Sequence, residues 1–304
     1  MSDIPIDIFP EVAIALEQGT PVVALESTVI AHGLPRPKNL EIALRLQTVV
    51  RAQGVTPATV AVLGGRVKIG LSESELARLA EDTDVMKESR RDFPAAVARK
   101  LDGATTVAGS MMAANWAGIG VLATGGIGGV HIGDQFDVSA DLVELARTPV
   151  VVVCSGAKAI LNLSATLEWL ETHGVPVVGY GVDELPAFYS HSSGIALDLR
   201  ADDPRQVAAL LQAQRRLSLS GGLVVTVPPP KHNALPRAAM QAAIEQALAQ
   251  AKVEGIRGKE TTPFLLRQME TLTDGDSLRA NIALLENNAQ VSADIAAAIA
   301  VSGS

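Results

Sequence analysis

The sequence contains little cysteine, few aromatic residues and no excess of positive charge. One cysteine, Cys154, cannot form an internal disulfide, which excludes a disulfide-stabilised scaffold, and its apolar neighbours predict a buried, unreactive thiol. The chain has 33 acidic and 25 basic residues, which argues against binding polymeric nucleic acid but permits a local basic pocket. Because 48% of the residues are hydrophobic, the chain can form a large core. These figures favour a small-molecule partner.

No segment of the sequence predicts a membrane span or a secretion signal. The longest stretch without Asp, Glu, Lys or Arg extends from Gly103 to Gly133, but nine glycines interrupt it. We interpret this stretch as strands and tight turns in a protein core. The first residues, MSDIPIDIFP, carry acids where a secretion signal needs a cationic start. We therefore expect a cytoplasmic protein that does not contact a membrane.

Short apolar runs alternate with longer amphipathic segments, which predicts a layered α/β fold with a sheet covered on both faces. Strands are predicted at 21–25, 59–63, 119–124, 149–154, 175–180 and 222–227. Helices are predicted at 39–53, 72–81, 139–147, 158–173, 204–219 and 235–254. Residues from about 260 to 304 are expected to be helical, with helices that start near Asp276 and Ser292 and pack on the core or on a neighbouring subunit. The absence of repeats and long linkers favours one α/β domain over residues 1–304.

Polar and glycine-rich segments follow the predicted strands, where ligands bind in open α/β sheets. Glu26 ends the first of these strands and is a candidate general acid or base, or simply a capping or ion-paired residue. The turn from Gly125 to Gly129 could admit an anion to backbone N–H groups or could only allow tight packing. His131 follows it, either as a ligand contact or as an ordinary loop histidine. No dinucleotide or P-loop fingerprint is complete.

Two carboxylates, Asp137 and Asp141, flank Ser139 at the start of a predicted helix. Helix capping by Ser139 with favourable dipole interactions explains them most simply. The same oxygen-rich segment also suits Mg²⁺ or Mn²⁺, which take one or two protein carboxylates and keep several waters. Both interpretations stay open from these residues alone.

Lys158 lies beyond an apolar strand, at the expected start of a helix. A helix N-terminus and apolar surroundings both disfavour the ammonium form, so we expect a lowered pKa and a nucleophilic amine at Lys158. Such an amine is suited to Schiff-base chemistry, and a solvated surface lysine is the alternative. Separately, the run KESRRD at 87–92 holds three cations within five positions, which either clamp one phosphate group or form a solvated basic face.

Taken in order, these segments resemble the pseudouridine-5′-phosphate glycosidase family, also described as indigoidine synthase A-like. The resemblance extends from about Pro21 to Ala289. Its blocks are ALEST at 24–28, KESRRD at 87–92, GATTVA at 103–108, ATGGIGGVH at 123–131, FDVSADL at 136–142, SGAK at 155–158, GGLVV at 221–225, GKETTPFLL at 258–266 and GDSLRANI at 275–282. Nine blocks in a fixed order are more specific than any one of them.

The resemblance implies a three-layer α/β/α sandwich around a largely parallel or mixed sheet, a homotrimer and one Mn²⁺ per subunit. The implied reaction is reversible cleavage of the C–C glycosidic bond of pseudouridine 5′-phosphate by water, giving uracil and ribose 5-phosphate. Matching positions make Glu26 the proton donor, Lys158 the covalent nucleophile and Asp137 the metal ligand. The implied substrate-binding residues are Lys87, Thr106, Val107, His131, Ser139, Ala140, Asp141 and Asn281.

A carbon leaving group requires an electron sink, and an imine on Lys158 supplies one. The expected sequence is ribose ring opening assisted by Glu26, attack by Lys158, release of uracil and hydrolysis of the lysine adduct. Two alternatives compete: a sugar-phosphate lyase or aldolase that uses the same lysine, and a non-catalytic sugar-phosphate sensor. Glu88, an acid beside Lys87, departs from the family pattern, and we expect its side chain to turn outward.

Overall fold

The fold is a mixed β-sheet with helices on both faces. In this computed structural model, residues 4–133, 137–256, 258 and 261–302 are described. The main path through the sheet runs β1-β4-β3-β2-β7-β9-β13-β11-β12, and β5 and β6 extend it beside β3. The strands are β1 (Ile6–Ile8), β2 (Val22–Leu25), β3 (Thr56–Leu63), β4 (Arg66–Ile69), β5 (Met86–Glu88), β6 (Gly103–Thr105), β7 (Val121–Ala123), β8 (Val130–His131), β9 (Val151–Cys154), β10 (Leu161–Asn162), β11 (Val177–Tyr180), β12 (Leu199–Ala201) and β13 (Leu223–Thr226).

Helices connect most of these strands. They are α1 (Pro10–Glu17), α2 (Lys38–Ala52), α3 (Glu73–Glu81), α4 (Phe93–Arg99), α5 (Val107–Trp116), α6 (Ala140–Leu145), α7 (Leu163–Thr172), α8 (Pro204–Arg216), α9 (Arg237–Glu254), α10 (Thr261–Leu272) and α11 (Asp276–Ser302). A π-helical turn covers Val29–Gly33. None of the helices in the described ranges is both long and apolar enough to cross a membrane.

All six predicted strands are confirmed, as β2, β3, β7, β9, β11 and β13. The neighbours β3-β2-β7-β9-β13-β11 run parallel and are buried on both faces, which explains their continuous β-branched sequences. The capping box of α3 is also confirmed: the Ser72 hydroxyl accepts from Glu75 N, and the Glu75 carboxylate accepts from Ser72 N. Cys154 is fully buried, and burial raises its pKa to about 12.

Three predictions about local structure are wrong. The segment 158–173 is helical only from Leu163 to Thr172, because Gly156 with φ of 82° redirects the chain and Leu161–Asn162 pairs with β8. The stretch 103–133 contains the helix Val107–Trp116 among its turns. At the C-terminal end, one continuous helix from Asp276 to Ser302 replaces a second start near Ser292. There a small-residue run continues the helical pattern instead of interrupting it.

The parallel strands β2, β7 and β9 place their carboxyl ends side by side in the middle of the sheet. Ala24 and Leu25 pair with Leu122 and Ala123, which in turn pair with Val152 and Val153. The residues after these strands therefore meet at one edge, as expected for ligand sites in open α/β sheets. Helix α11 packs against the same region, where it contacts β2, β7 and β9.

Candidate active site

A cavity of about 250 Å³ lies beyond the carboxyl ends of β2 and β9, and we call it the inner cavity. Its lining includes nine of the eleven candidate residues taken from the sequence: Glu26, Lys87, Thr106, Val107, His131, Ser139, Ala140, Asp141 and Lys158. A narrow gap of about 30 Å³ adjoins it and shares Glu26, Lys87 and Lys158 with it. We call this gap the neck, and it brings in the tenth candidate, Asn281 from α11.

Glu26 is held in a form suited to donating a proton. Its side chain is buried directly after β2, with 5% of its surface exposed. The hydroxyl of Thr124 donates a hydrogen bond to Glu26 Oε1. Burial raises the pKa of Glu26, although the charge of Lys158 and the Thr124 hydrogen bond act in the opposite direction. A carboxyl group that is protonated above its ordinary range can act as a general acid.

Lys158 lies in a loop before β10 and not at the start of a helix, so the dipole argument for its reactivity does not apply. Its backbone N–H donates to Ile127 O at 3.1 Å, which ties the loop to the glycine turn after β7. The side chain is half-buried and lines both the inner cavity and the neck, together with Glu26. The structure therefore places a primary amine and a buried carboxyl group in one cavity.

Asp141 fixes the backbone around the inner cavity. It is buried, its Oδ1 accepts from Ala108 N at 2.9 Å, and its Oδ2 accepts from Gly128 N at 2.8 Å. Asp141 thereby joins α6 to the start of α5 and to the glycine turn. Of the two interpretations of this turn, tight packing explains Gly128, where an added Cβ would lie 2.1 Å from Ser139 Oγ.

Ser139 and Thr106 both have capping roles, as the sequence suggested for Ser139. The Ser139 hydroxyl accepts from Asp141 N at 3.2 Å, and the Thr106 hydroxyl accepts from Gly109 N at 3.4 Å. Thr106 Oγ1 also lies 3.0 Å from Ser89 Oγ. Both capping hydroxyl groups line the inner cavity, so capping and ligand contact are compatible here.

The cations of the basic run 87–92 lie in two different environments. Lys87 and Arg91 line the inner cavity, whereas Arg90 donates to both carboxylate oxygens of the buried Glu144, at 2.8 and 2.6 Å. The expectation that Glu88 turns outward is wrong. Its side chain is fully buried, and its carboxylate occupies the space where a Cβ on Gly103 would lie. On strand β5, alternation sends Lys87 toward the cavity and Glu88 into the interior.

Asp137, the expected metal ligand, lies outside the lining of the inner cavity but next to it. Its carboxylate Oδ2 is 3.7 Å from Nδ1 of His131, and its side chain is 46% exposed. Among the described residues, no group of three or more His, Cys, Asp or Glu could form a metal cage. One exposed carboxylate fits a largely hydrated divalent cation such as Mn²⁺ or Mg²⁺, which needs only one or two protein oxygens. Phe136 of the same motif, and Lys259 and Glu260 of the GKETTPFLL block, lie outside the described residues.

Three site residues have no clear signal in the sequence. Phe188 lines the neck with a positive φ of 58°, a rare conformation for a bulky residue that costs about 1–3 kcal/mol. Its ring packs against Gly126, which has no space for a Cβ. Thr124 contacts Glu26, and the buried Asn288 supports the glycine turn from α11. Thr124 is the last residue of a predicted strand, and its position was the one available clue.

Comparison with known proteins agrees with this geometry. The family model described as "Indigoidine synthase A like protein" matches residues 11–298. The chain belongs to this family. A protein named pseudouridine-5′-phosphate glycosidase from Herpetosiphon aurantiacus is 57% identical over 292 residues, covering 95% of this chain and 96% of that protein. One of the same name from Caldanaerobacter subterraneus subsp. tengcongensis is 52% identical over 293 residues, with 96% and 95% coverage.

Two solved structures share the fold. The prealnumycin C-glycosynthase AlnA in complex with ribulose 5-phosphate superimposes with a TM-score of 0.91 at 36% identity, covering 100% of this chain and 99% of that chain. An indigoidine synthase A-like protein from Thermotoga maritima superimposes with a TM-score of 0.89 at 35% identity, covering 98% and 97%. The three-layer α/β arrangement with a helical C-terminal segment is thus the fold of the family.

Proposed function

We propose that this chain is a C-glycosidase that cleaves pseudouridine 5′-phosphate with water to uracil and ribose 5-phosphate, in a reversible reaction. The names of the close relatives give the reaction, and one structural observation supports it most directly. A buried carboxyl group with a raised pKa, Glu26, shares a cavity with the primary amine of Lys158. Sugar-phosphate binding alone would not require this pair.

The inner cavity has the chemistry of a phosphate and ribose site. Lys87 and Arg91 supply positive charge, and Ser89, Thr106, His131 and Ser139 supply further polar groups around the same space. The neck is more apolar: Phe188, Pro263 and Leu266 line it, with Asn281 and Thr28 as polar partners. A planar base fits such a gap better than a phosphate does. We assign the ribosyl phosphate to the inner cavity and the uracil ring to the neck.

The proposed reaction begins with ring opening. Glu26 gives its proton to the ribose ring oxygen as the C1′–O4′ bond breaks. The N1 lone pair of the base supplies the electrons for this cleavage. Lys158 Nζ then adds to C1′. The proton that the Lys158 nitrogen loses after this addition is transferred to C5 of the base. The C1′–C5 bond breaks and its electrons form the C5–C6 double bond of uracil, while the Lys158 nitrogen lone pair forms an imine at C1′. Water hydrolyses the imine, which releases ribose 5-phosphate and the free amine.

The metal belongs to this proposal as well. Asp137 would hold a hydrated Mn²⁺ at the rim of the inner cavity, with His131 beside it, and the ion would supply positive charge near the sugar phosphate. A homotrimer, which rests on the family resemblance, and the cytoplasmic location expected from the sequence complete the proposal. Light scattering of the purified protein tests the trimer.

One experiment tests the function. Purified protein with Mn²⁺ is incubated with pseudouridine 5′-phosphate, and uracil is measured, with Lys158→Ala as the control. We expect uracil from the wild-type protein and none from the variant. Sodium borohydride added with ribose 5-phosphate should trap the reduced adduct on Lys158, visible by peptide mass spectrometry. Turnover of a sugar phosphate without uracil release would instead support the lyase, and binding without turnover would support the sensor.

A further inference from the structure

A third cavity opens on the far side of the neck from the inner cavity. It has a volume of about 780 Å³, within the range of small-molecule pockets, and we call it the outer cavity. It shares His32, Lys87, Pro263, Leu266 and Asn281 with the neck. The neck in turn shares Glu26 and Lys158 with the inner cavity. The three spaces therefore adjoin one another in series, and the reacting residues lie between the two wide ones.

The two wide parts differ in chemistry. The inner cavity brings together Lys87, Arg91, Thr106 and Ser139 and suits a phosphate group. Apart from the shared Lys87, the outer cavity combines the cationic Arg36 and Arg267 with the acidic Asp84 and Glu270. The guanidinium of Arg36 is already engaged, because it donates to Ala80 O at 2.7 Å and to Asp82 O at 2.6 Å. Apart from Lys87, the two positive and two negative formal charges of the outer cavity cancel.

The neck itself is narrow, with a volume of only about 30 Å³. Phe188 and Pro263 line it, and the glycines at 125 and 126 leave no room for bulk, since a Cβ on Gly126 would lie 2.6 Å from the Phe188 ring. A group attached to the base on the side away from ribose must therefore lie in the outer cavity. The outer cavity provides this space.

We propose that the outer cavity extends the base subsite, so that the enzyme accepts C-nucleoside 5′-phosphates whose base carries a substituent on a ring nitrogen. This inference rests on the proposed function and specifies its substrate class. In pseudouridine the ribose is bonded to C5, and N1 and N3 flank the carbonyl opposite C5. An alkyl or benzyl arm on one of these nitrogens leaves the breaking C1′–C5 bond and the N1 lone pair in place. The chemistry assigned to Glu26 and Lys158 is unchanged.

The first test compares three substrates: pseudouridine 5′-phosphate and its N1-benzyl and N3-benzyl derivatives. We expect at least one derivative to release its benzyluracil with kcat/KM within roughly tenfold of the parent compound. Loss of more than about tenfold for both derivatives, with the parent turned over normally, overturns the inference. Absence of turnover of the parent compound is a different result, because it contradicts the proposed function itself.

The second test fills the outer cavity. Leu278 and Thr83 line it from α11 and from the loop before β5, and neither belongs to the reacting centre. Leu278→Trp and Thr83→Trp should each lower kcat/KM for the benzyl substrate by about tenfold or more and change the parent value by less than about twofold. Leu272→Trp is the matched control, since Leu272 is 41% exposed and lines none of the three cavities.

Leu278→Trp and Thr83→Trp are both tested so that the result does not depend on the folding of a single variant of the outer cavity. Thr83 lies on an exposed loop, so its substitution should leave the thermal unfolding temperature close to that of the wild type. A well-folded Thr83→Trp and a well-folded Leu278→Trp that both treat the benzyl and parent substrates alike would contradict the inference. Selective loss of the benzyl substrate in either of them supports it.

Discussion

The side-chain amide of Asn288 donates a hydrogen bond of 2.9 Å to the backbone carbonyl of Thr124. Asn288 is fully buried on α11, and Thr124 is the residue whose hydroxyl donates to Glu26. The same amide donates to Ser155 Oγ at 3.1 Å, three positions before Lys158. One side chain therefore contacts the residues that directly follow β7 and β9, next to the carboxyl–amine pair.

Asn288→Asp should impair catalysis although Asn288 lines none of the three cavities. The variant keeps the shape of the side chain but replaces the amide donor, which leaves the Thr124 carbonyl facing a carboxylate at a cost of about 1–3 kcal/mol. We expect kcat to fall by roughly ten- to a hundredfold with KM little changed. Steady-state kinetics and thermal unfolding measure both effects. The neighbouring Asn287→Asp is the control, because Asn287 instead donates a 3.3 Å hydrogen bond to Pro228 O. Equal losses in both variants would argue against a positioning role.

The pH dependence of the reaction should report the ionisation of Glu26. The proposed proton donor works in its protonated form, so kcat/KM should fall as the pH rises through the raised pKa of Glu26. The Thr124 hydrogen bond lowers this pKa, so Thr124→Val should move the alkaline limb to higher pH. Thr124→Ser keeps the hydroxyl and should leave the limb in place. If the limb of Thr124→Val moves to lower pH, the hydrogen bond does not act on Glu26 as described.

Glu26→Gln should lower the activity of the enzyme and raise its stability at alkaline pH. Because the pKa of Glu26 is raised in the folded protein, ionisation destabilises the fold as the pH rises from the ordinary value of 4.5 through the raised value. A neutral amide avoids this cost, so the variant should unfold at a higher temperature than the wild type at pH 8, and the difference should vanish below pH of about 4. Its kcat should fall by roughly 10²- to 10⁴-fold. Thermal unfolding across pH, with Glu41→Gln on the exposed face of α2 as the control, measures the stability term.

Removal of the Asp141 carboxylate should loosen the inner cavity. Asp141→Ala leaves the buried N–H of Ala108 and the half-buried N–H of Gly128 without their acceptor, at about 1–3 kcal/mol for the buried group. We expect a lower unfolding temperature, weaker binding of ribose 5-phosphate and faster amide hydrogen exchange at both positions. Asp141→Asn restores one acceptor and should recover part of the stability. Unchanged exchange at Gly128 in the alanine variant would contradict this role.

Asp137→Ala should weaken Mn²⁺ binding without affecting the fold. The carboxylate is exposed and its removal leaves no buried group without a partner, so thermal unfolding should not change. Mn²⁺ binding measured by electron paramagnetic resonance should weaken by roughly tenfold or more, since the assigned site has one protein carboxylate. Asp198→Ala, at another exposed aspartate, should bind as the wild type does. Equal binding in both variants would place the metal elsewhere.

The sequence was most informative where burial dictates residue type. The β-branched runs such as 149–154 can only be strands covered on both faces, and each of the six predicted in this way is present. Ser72 and Glu75 marked a helix start by their spacing. The sequence was least informative at 158–162. There a helical pattern forms a loop and a short strand, because Gly156 with its positive φ redirects the chain.

For the site, the sequence supplied residue types but no orientations. Strand-end position and family motifs pointed to Glu26, Lys158 and Asp141, which the structure brings into one cavity. Whether Asp141 contacts a ligand or the protein backbone depends on tertiary contacts with Ala108 and Gly128, which no local pattern encodes. The contribution of Asn288 is invisible for the same reason, because its partners lie more than 130 positions away along the chain.

The hydrogen bond from Asn288 to Thr124 also bears on the order in which the site is completed during biosynthesis. A ribosome synthesises Glu26, Lys87 and Lys158 before it reaches α11, because α11 is the last helix in the chain order. Until α11 emerges and docks, the backbone beside Glu26 and Lys158 lacks the Asn288 amide that holds it. A nascent chain that lacks α11 therefore carries both reacting groups without the amide that holds the Thr124 carbonyl next to Glu26.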